Sequence, residues 1–117
     1  MAKNIIFEDG TQLALTATDP ATPASGDPVV VGQIPGVALI NEASDGLTTI
    51  KTNGVATLSV KGIDGGGNSA VAAGDILYYV SGDTPKLSKK TSGVRFGYAL
   101  EVVSSAATAT IRVKIGY

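Results

Sequence analysis

Ala73-Gly74-Asp75-Ile76-Leu77-Tyr78-Tyr79-Val80, followed after a loop by Phe96-Gly97-Tyr98-Ala99-Leu100-Glu101, reads as a turn that launches two strands. Ser25-Gly26-Asp27-Pro28-Val29-Val30-Val31, followed by Ile34-Pro35-Gly36-Val37-Ala38-Leu39, has the same order of features. Each begins with a small residue and Gly-Asp, passes through an apolar run, and reaches a second segment carrying Gly and Ala-Leu. Glycine accepts a positive φ, and an aspartate side chain bonds to nearby backbone, so Gly-Asp is a turn signal. The β-branched and aromatic residues that follow suit a pleated, half-buried surface. The two copies are either one structural unit used twice or a coincidence of common turn chemistry. On either reading they describe a scaffold and carry no chemistry.

Strand signals continue on both sides. Over 11–18, Leu13, Leu15 and Ala17 point one way, with Gln12, Thr16, Thr18 and Ala14 on the other side, the pattern of a half-buried strand. Pro20, Pro23 and Pro28 make 19–28 an extended loop, since no central strand tolerates that density of proline. Val29-Val30-Val31 is apolar on both faces and predicts a strand covered on both sides. Leu47 to Thr52 and Val55 to Lys61 flank Asn53-Gly54, which predicts a hairpin with a type I′ turn. In the second arm Ala56, Leu58 and Val60 share a side.

The stretch Gly62 to Ser69 predicts a flexible loop, and Ala70 to Gly74 one helical turn. Lys86-Leu87-Ser88-Lys89-Lys90 predicts a basic sheet edge, where lysines discourage aberrant pairing. Val94 to Val103 predicts the longest strand, with Val94, Phe96, Tyr98, Leu100 and Val102 on one face. Thr108 to Ile115 alternates strictly, with Ala109, Ile111, Val113 and Ile115 inward. Together these predict an all-β fold: a small barrel or sandwich of about eight short strands, with no substantial helix. The expected organisation is an N-terminal arm or edge strand over 1–10 and a single β-domain over 11–117.

Composition narrows the function. The 117 residues are 44% hydrophobic but 5% aromatic, so the core must be built from Val, Ile, Leu and Ala. Such a core is thin, and oligomerisation is expected to help it. A net charge of −1 provides no field favouring nucleic acid or an anionic membrane. No run approaches the roughly 18–20 apolar residues that span a bilayer. The start Met-Ala-Lys-Asn-Ile-Ile-Phe-Glu-Asp lacks the apolar core of a signal peptide. Synthesis and retention in the cytoplasm are expected, unless the protein joins something that leaves the cell.

The chain has no Cys, which removes disulfides and thiolate metal sites, and no His, the commonest general base and metal ligand. Asp9, Asp27, Asp45, Asp64 and Asp75 stand in turn sequences, and turn formation explains them. Ser88-Lys89-Lys90 is the nearest match to a Ser–Lys nucleophile pair but reads more simply as a solvated edge. The run Gly62-Ile63-Asp64-Gly65-Gly66-Gly67-Asn68-Ser69 lacks the Lys-Ser/Thr ending of a phosphate-binding loop. Asp64 and Asn68 do not have the spacing of a calcium loop. Lys86, Lys89, Lys90 and Arg95, with Tyr78, Tyr79 and Tyr98, are the residues that a single-strand nucleic-acid groove would use. No catalytic residue, cofactor or metal site, and no small-molecule substrate, is expected. Ile5-Ile6-Phe7 is apolar and is expected to dock, because an exposed arm of that composition is costly.

The ordered series of these stretches resembles the capsid cement, or decoration, proteins of tailed bacteriophages over nearly the whole length. The Met-Ala-Lys-Asn start, the Ser25 to Val31 turn and strand, and Gly36-Val37-Ala38-Leu39 belong to the resemblance. Gly54-Val55-Ala56-Thr57-Leu58, Ala72 to Tyr79, Gly97 to Glu101 and the alternating last strand complete it. The glycine loop Gly62 to Ser69 is longer than the pattern. The resemblance implies a compact, non-enzymatic β-protein made in the host cytoplasm and carried on the virion exterior. It implies a homotrimer that binds the major capsid protein of the expanded shell, with no nucleic-acid or membrane partner. Lys3, Asn4, Ile5, Ile6 and Phe7 are the candidate capsid contacts, as an arm that adds a strand to a capsid sheet edge. Some members carry a RecA-like recombinase label; this chain has no nucleotide-binding loop and is too short for such a core. The alternatives are a tail or baseplate structural protein, a weak single-stranded nucleic-acid binder, and a small enzyme using paired carboxylates.

Overall fold

The computed structural model describes residues 12–17, 20, 23–41 and 46–116. Its strands, in chain order, are β1 Gln12–Leu15, β2 Pro28–Val31, β3 Ile34–Ala38, β4 Thr48–Lys51, β5 Gly54–Lys61, β6 Ile63–Asp64, β7 Gly67–Asn68, β8 Ile76–Tyr79, β9 Leu87–Ser88, β10 Val94–Ala99 and β11 Thr108–Ile115. No helix occurs among the described residues, and the fold is all-β. Barrel and sheet are both present. β1-β4-β3-β2 form a four-stranded sheet, and β10-β11-β5-β9-β8 close into a barrel.

The two Gly-Asp stretches are one unit used twice. In the first unit, strands met in the order β1, β2, β3, β4 lie side by side as β1-β4-β3-β2, every neighbour antiparallel. In the second, strands met as β5, β8, β10, β11 lie as β5-β11-β10-β8, again all antiparallel. The register agrees too. Ala38 lies opposite Ile50 and Leu39 donates its N–H to the Thr49 carbonyl; Ala99 lies opposite Val113 and Leu100 donates to the Arg112 carbonyl.

The turns match bond for bond. Gly26 donates to the Ala38 carbonyl at 2.8 Å, Asp27 to Ala24 at 3.0 Å, and Ala38 back to Asp27 at 3.0 Å. Gly74 donates to Ala99 at 2.7 Å, Asp75 to Ala72 at 3.1 Å, and Ala99 back to Asp75 at 2.9 Å. Each aspartate carboxylate also accepts a backbone N–H three residues earlier, from Ala24 and Ala72 respectively. The glycines adopt φ of 90° and 93°, as the turn requires. A third turn of the same kind, Ser104 to Ala107, bonds to Gly62 at both its amide and its carbonyl. There Ala106 takes the positive φ, 64°. An L-residue pays roughly 1–2 kcal/mol in that region. Glycine costs about 0.5–1 kcal/mol more in chain entropy. Ala106→Gly is therefore expected to stabilise the fold by about 0.5–1 kcal/mol, raising the thermal midpoint by a few degrees. A lower midpoint in thermal unfolding would contradict this.

Most strand faces follow the sequence pattern. On β11, Ile111, Val113 and Ile115 are buried and Thr108, Thr110, Arg112 and Lys114 exposed. On β5, Leu58 and Val60 are buried. Val29 and Val30 are both buried, on opposite faces of β2: Val30 joins the large core inside the barrel, and Val29 packs with Ala38 and Ile50 in a smaller one. The sheet is thereby joined to the barrel, with β3 resting against β10 and β11.

Five expectations are corrected. The predicted hairpin at Asn53-Gly54 is instead the crossing from sheet to barrel: β4 pairs with β1 and β3, and β5 with β11 and β9. A type I′ turn needs positive φ at both central residues, and here Gly54 alone supplies it. The strand predicted over Val94 to Val103 ends at Ala99. A bulge at Phe96, between the pairs Arg95–Tyr78 and Gly97–Leu77, inserts one unpaired residue and switches the inward face. Ala99 is buried as a result, and Leu100 and Val102 are exposed. Leu87–Ser88 is no edge; it is the strand that closes the barrel, pairing with β5 and β8. The glycine stretch folds into the small β6–β7 hairpin, with the Asp64 carboxylate accepting the Gly66 N–H at 2.8 Å. Ala70 to Gly74 forms no helical turn; Val71 makes a bridge with Val103. The predicted arm, including Lys3, Asn4, Ile5, Ile6 and Phe7, lies outside the described residues.

Candidate functional site

The two units end alike at the turn and the leucine after it, and differ beyond, where Ile40 and Asn41 stand in the places of Glu101 and Val102. In the first, the Gly26 turn holds the end of β3: Ser25 donates its N–H to the Asn41 side-chain oxygen at 2.8 Å and its hydroxyl to the Leu39 carbonyl at 3.1 Å. Leu39 and Ile40 emerge there, 40% and 48% exposed. In the second, the Gly74 turn holds the end of β10, and Leu100 and Val102 emerge, 40% and 67% exposed. Between them, Glu101 accepts the Arg112 backbone N–H at 2.7 Å and pairs with its guanidinium at 3.4 Å. The Arg112 backbone bond, with the guanidinium beside it, holds the Glu101 carboxyl below its usual range despite some opposing desolvation. At both, backbone held by turn hydrogen bonds carries apolar side chains outward. The backbone is fixed by turn hydrogen bonds, so little ordering would be needed on contact.

The residues expected for other chemistries are engaged elsewhere. Lys86 donates to the Ser81 carbonyl at 2.9 Å and lies 5.8 Å from the centre of the buried Tyr79 ring. Lys89 pairs with Asp75 at 3.7 Å and Lys90 with Asp83 at 2.9 Å. Arg95 donates to the Tyr98 hydroxyl at 2.6 Å, and Arg95 and Lys114 both lie over that ring. These basic residues pair with local carboxylates, a backbone carbonyl and tyrosine rings.

A groove of about 520 Å³ is lined by Asp27, Thr57, Ser59, Asp83, Lys86 and Thr110 among others. It brings two carboxylates to one wall system, which paired acid–base chemistry would require. Each already has a structural partner, Asp27 in the Ala24 turn and Asp83 in the Lys90 ion pair. Asp64 and Asn68 are cross-strand neighbours in the β6–β7 hairpin, offset by one residue from direct pairing. Among the described residues no three His, Cys, Asp or Glu side chains gather as a metal site would need. Ser88 is buried, and its hydroxyl accepts the Lys90 N–H at 3.3 Å, a local turn bond.

A family model described as phage cement protein matches residues 7–115. The chain belongs to the phage cement protein family. No curated protein and no solved structure shows detectable similarity. Family membership gives the chain a structural, capsid-associated role in a bacteriophage. The matched region contains both four-stranded units and both tips. Of the candidate contacts Lys3, Asn4, Ile5, Ile6 and Phe7, it takes in Phe7. The sequence does show an Ala-Leu pair in each copy. Their exposure was hidden, because it depends on where β3 and β10 stop.

Proposed function

We propose that this cement protein binds the outer surface of the expanded capsid as a homotrimer and joins neighbouring copies of the major capsid protein, without catalysis. The family match over 7–115 is the observation that carries the reading. Packaged DNA pushes outward and loads the joints between capsid subunits. A protein that binds the expanded lattice alone stabilises it by mass action. Several weak contacts on one rigid body multiply through effective concentration. Three-fold assembly would use heterologous patches that close into a ring. The segment Lys3 to Phe7 would add a strand to a capsid sheet edge.

Co-sedimentation of the purified protein with expanded, undecorated capsids tests this. Saturable binding at a fixed copy ratio is expected, with a raised temperature of capsid disruption. A version lacking residues 1–7 should bind at least tenfold more weakly. A folded protein that leaves capsids undecorated would overturn the reading.

A further inference from the structure

We infer that, in the free protein, the open side of the first unit, between β1 and β2, seats the Ile5-Ile6-Phe7 arm of a second copy of this chain, as the second unit seats its own β9. The basis is the internal duplication. Ala38 lies opposite Ile50 and Ile50 opposite Leu13, as Ala99 lies opposite Val113 and Val113 opposite Ala56. Counting along β1 and β5, Leu15 then corresponds to Leu58 and Ala17 to Val60. Val29 lies opposite Gly36 as Leu77 lies opposite Gly97, so Val31 corresponds to Tyr79. In the second unit Leu87 pairs with both Val60 and Tyr79 and is fully buried. In the first, no described strand takes that place between Ala17 and Val31. Leu58 and Tyr79 are accordingly buried, 4% and 2% exposed, whereas Leu15 and Val31 are half-buried at the rim of the small Val29, Ala38 and Ile50 core.

The second unit sets what fits. β9 runs parallel to β5 and antiparallel to β8, and brings one large apolar side chain inward. The flanking residues are smaller in the first unit, Ala17 for Val60 and Val31 for Tyr79, which leaves room for a side chain larger than leucine. Pro28, which has no N–H to give, corresponds to Ile76 and lies outside the pairs that β9 makes. Outside the described residues the chain has one run of large apolar residues, Ile5-Ile6-Phe7. In an extended arm Ile5 and Phe7 share a face, and Phe7 takes the place of Leu87. Four residues, 8–11, separate Phe7 from β1. A parallel neighbour needs a connection of about a dozen residues or more, so the arm cannot lie parallel to its own β1 and comes from another copy. Arm into neighbour is a head-to-tail contact, which closes into a ring and agrees with the trimer proposed above. The contact belongs to the free protein and does not rest on capsid binding; pairing of the arm with a capsid edge would have to displace it.

The chain has no cysteine, so an introduced disulfide reports the contact cleanly. Phe7→Cys and Val31→Cys are combined in one full-length chain. Directly opposite residues of antiparallel neighbours have Cα atoms about 4.5–5.5 Å apart, within reach of a disulfide. Mild oxidation without capsids is expected to join different chains, with the linked peptides mapping position 7 of one chain to position 31 of another. Phe7→Asp alone is expected to weaken self-association at least tenfold, read by light scattering over a concentration series, with thermal unfolding showing that the variant folds. A link within one chain overturns the inference, as does a link joining 7 to 7 or 31 to 31 alone, or no link. Unchanged self-association of the Phe7→Asp variant overturns it too, as does a parent protein that stays a single chain at every concentration. Capsid binding is scored separately by co-sedimentation, so a protein that exchanges arms but leaves capsids undecorated sinks the cement reading and keeps this one.

Discussion

Gly97→Ala is expected to destabilise the protein by about 3 kcal/mol, the upper part of the usual range for overpacking. For a chain of this length that lowers the thermal midpoint by roughly 12 °C. Gly97 is buried on β10, and the carbonyl oxygen of Lys114 on β11 occupies the place a Cβ would take. The obstacle is backbone, so relief requires parting two barrel strands. Gly36 holds the same place in the first unit. A Cβ there would meet the Ile50 side chain and come within 2.8 Å of the Lys51 carbonyl oxygen. Part of that obstacle is a side chain, so Gly36→Ala is expected to cost somewhat less, about 2 kcal/mol. Gly82, whose added Cβ would meet nothing within 4 Å, is the control and should change stability by less than about 0.5 kcal/mol. Denaturant unfolding of the three variants measures all of this. A Gly97 variant as stable as the Gly82 variant would show that β10 and β11 do not approach as described.

The contrast between β11 and β10 shows what a sequence of this kind reveals. β11 pairs with β5 without interruption from Thr108 to Ile115, so its alternation maps directly onto inside and outside. On β10 the letters alternate just as well, but the bulge at Phe96 reverses the later half. A bulge is set by how two strands fit; Gly97 inside the strand is a local hint of one, but it does not tell which residue is left unpaired. Asn53-Gly54 failed for a related reason. The dipeptide fits a hairpin locally, but the repeat requires β4 to pair within the first unit and β5 to begin the second. Tertiary pairing outranked the turn signal. Val29-Val30-Val31 was legible because a strand covered on both faces needs no phase. Of the functional surface, Ala-Leu in each copy was readable as a pattern, while its role as an exposed tip was fixed only by the strand ends. The arm at Lys3 to Phe7 was readable as apolar, and its contacts remain a proposal.

Leu87→Ala is expected to destabilise by about 3 kcal/mol, in the middle of the range for a buried leucine. Its side chain is fully buried in the barrel core with Val60, Tyr79 and Phe96. The strand it belongs to is two residues long, paired with β5 at Val60 and with β8 at Tyr78 and Tyr79. So short a ladder has few hydrogen bonds of its own, and apolar burial must hold it in place. The surrounding lysines help by being tied down: Lys86 to Ser81, Lys89 to Asp75 and Lys90 to Asp83. These half-exposed contacts each contribute about 1 kcal/mol or less, below the leucine. Loss of Leu87 should therefore loosen the closure before the rest. In native-state hydrogen exchange, the amides of Val80 and Lys89, which bond to Lys86 and Ile63, should lose protection while those of β11 keep theirs. Val102→Ala, at a site 67% exposed, should leave both stability and exchange nearly unchanged. The physical point is that the second unit differs from the first by this insertion. The 80–93 link places β9, with its buried leucine, between β5 and β8, and the barrel closes there, whereas the first unit stays an open sheet. If Leu87→Ala costs less than about 1 kcal/mol, closure does not depend on the leucine, and the difference between the two units must be held by the backbone pairs of β9 alone.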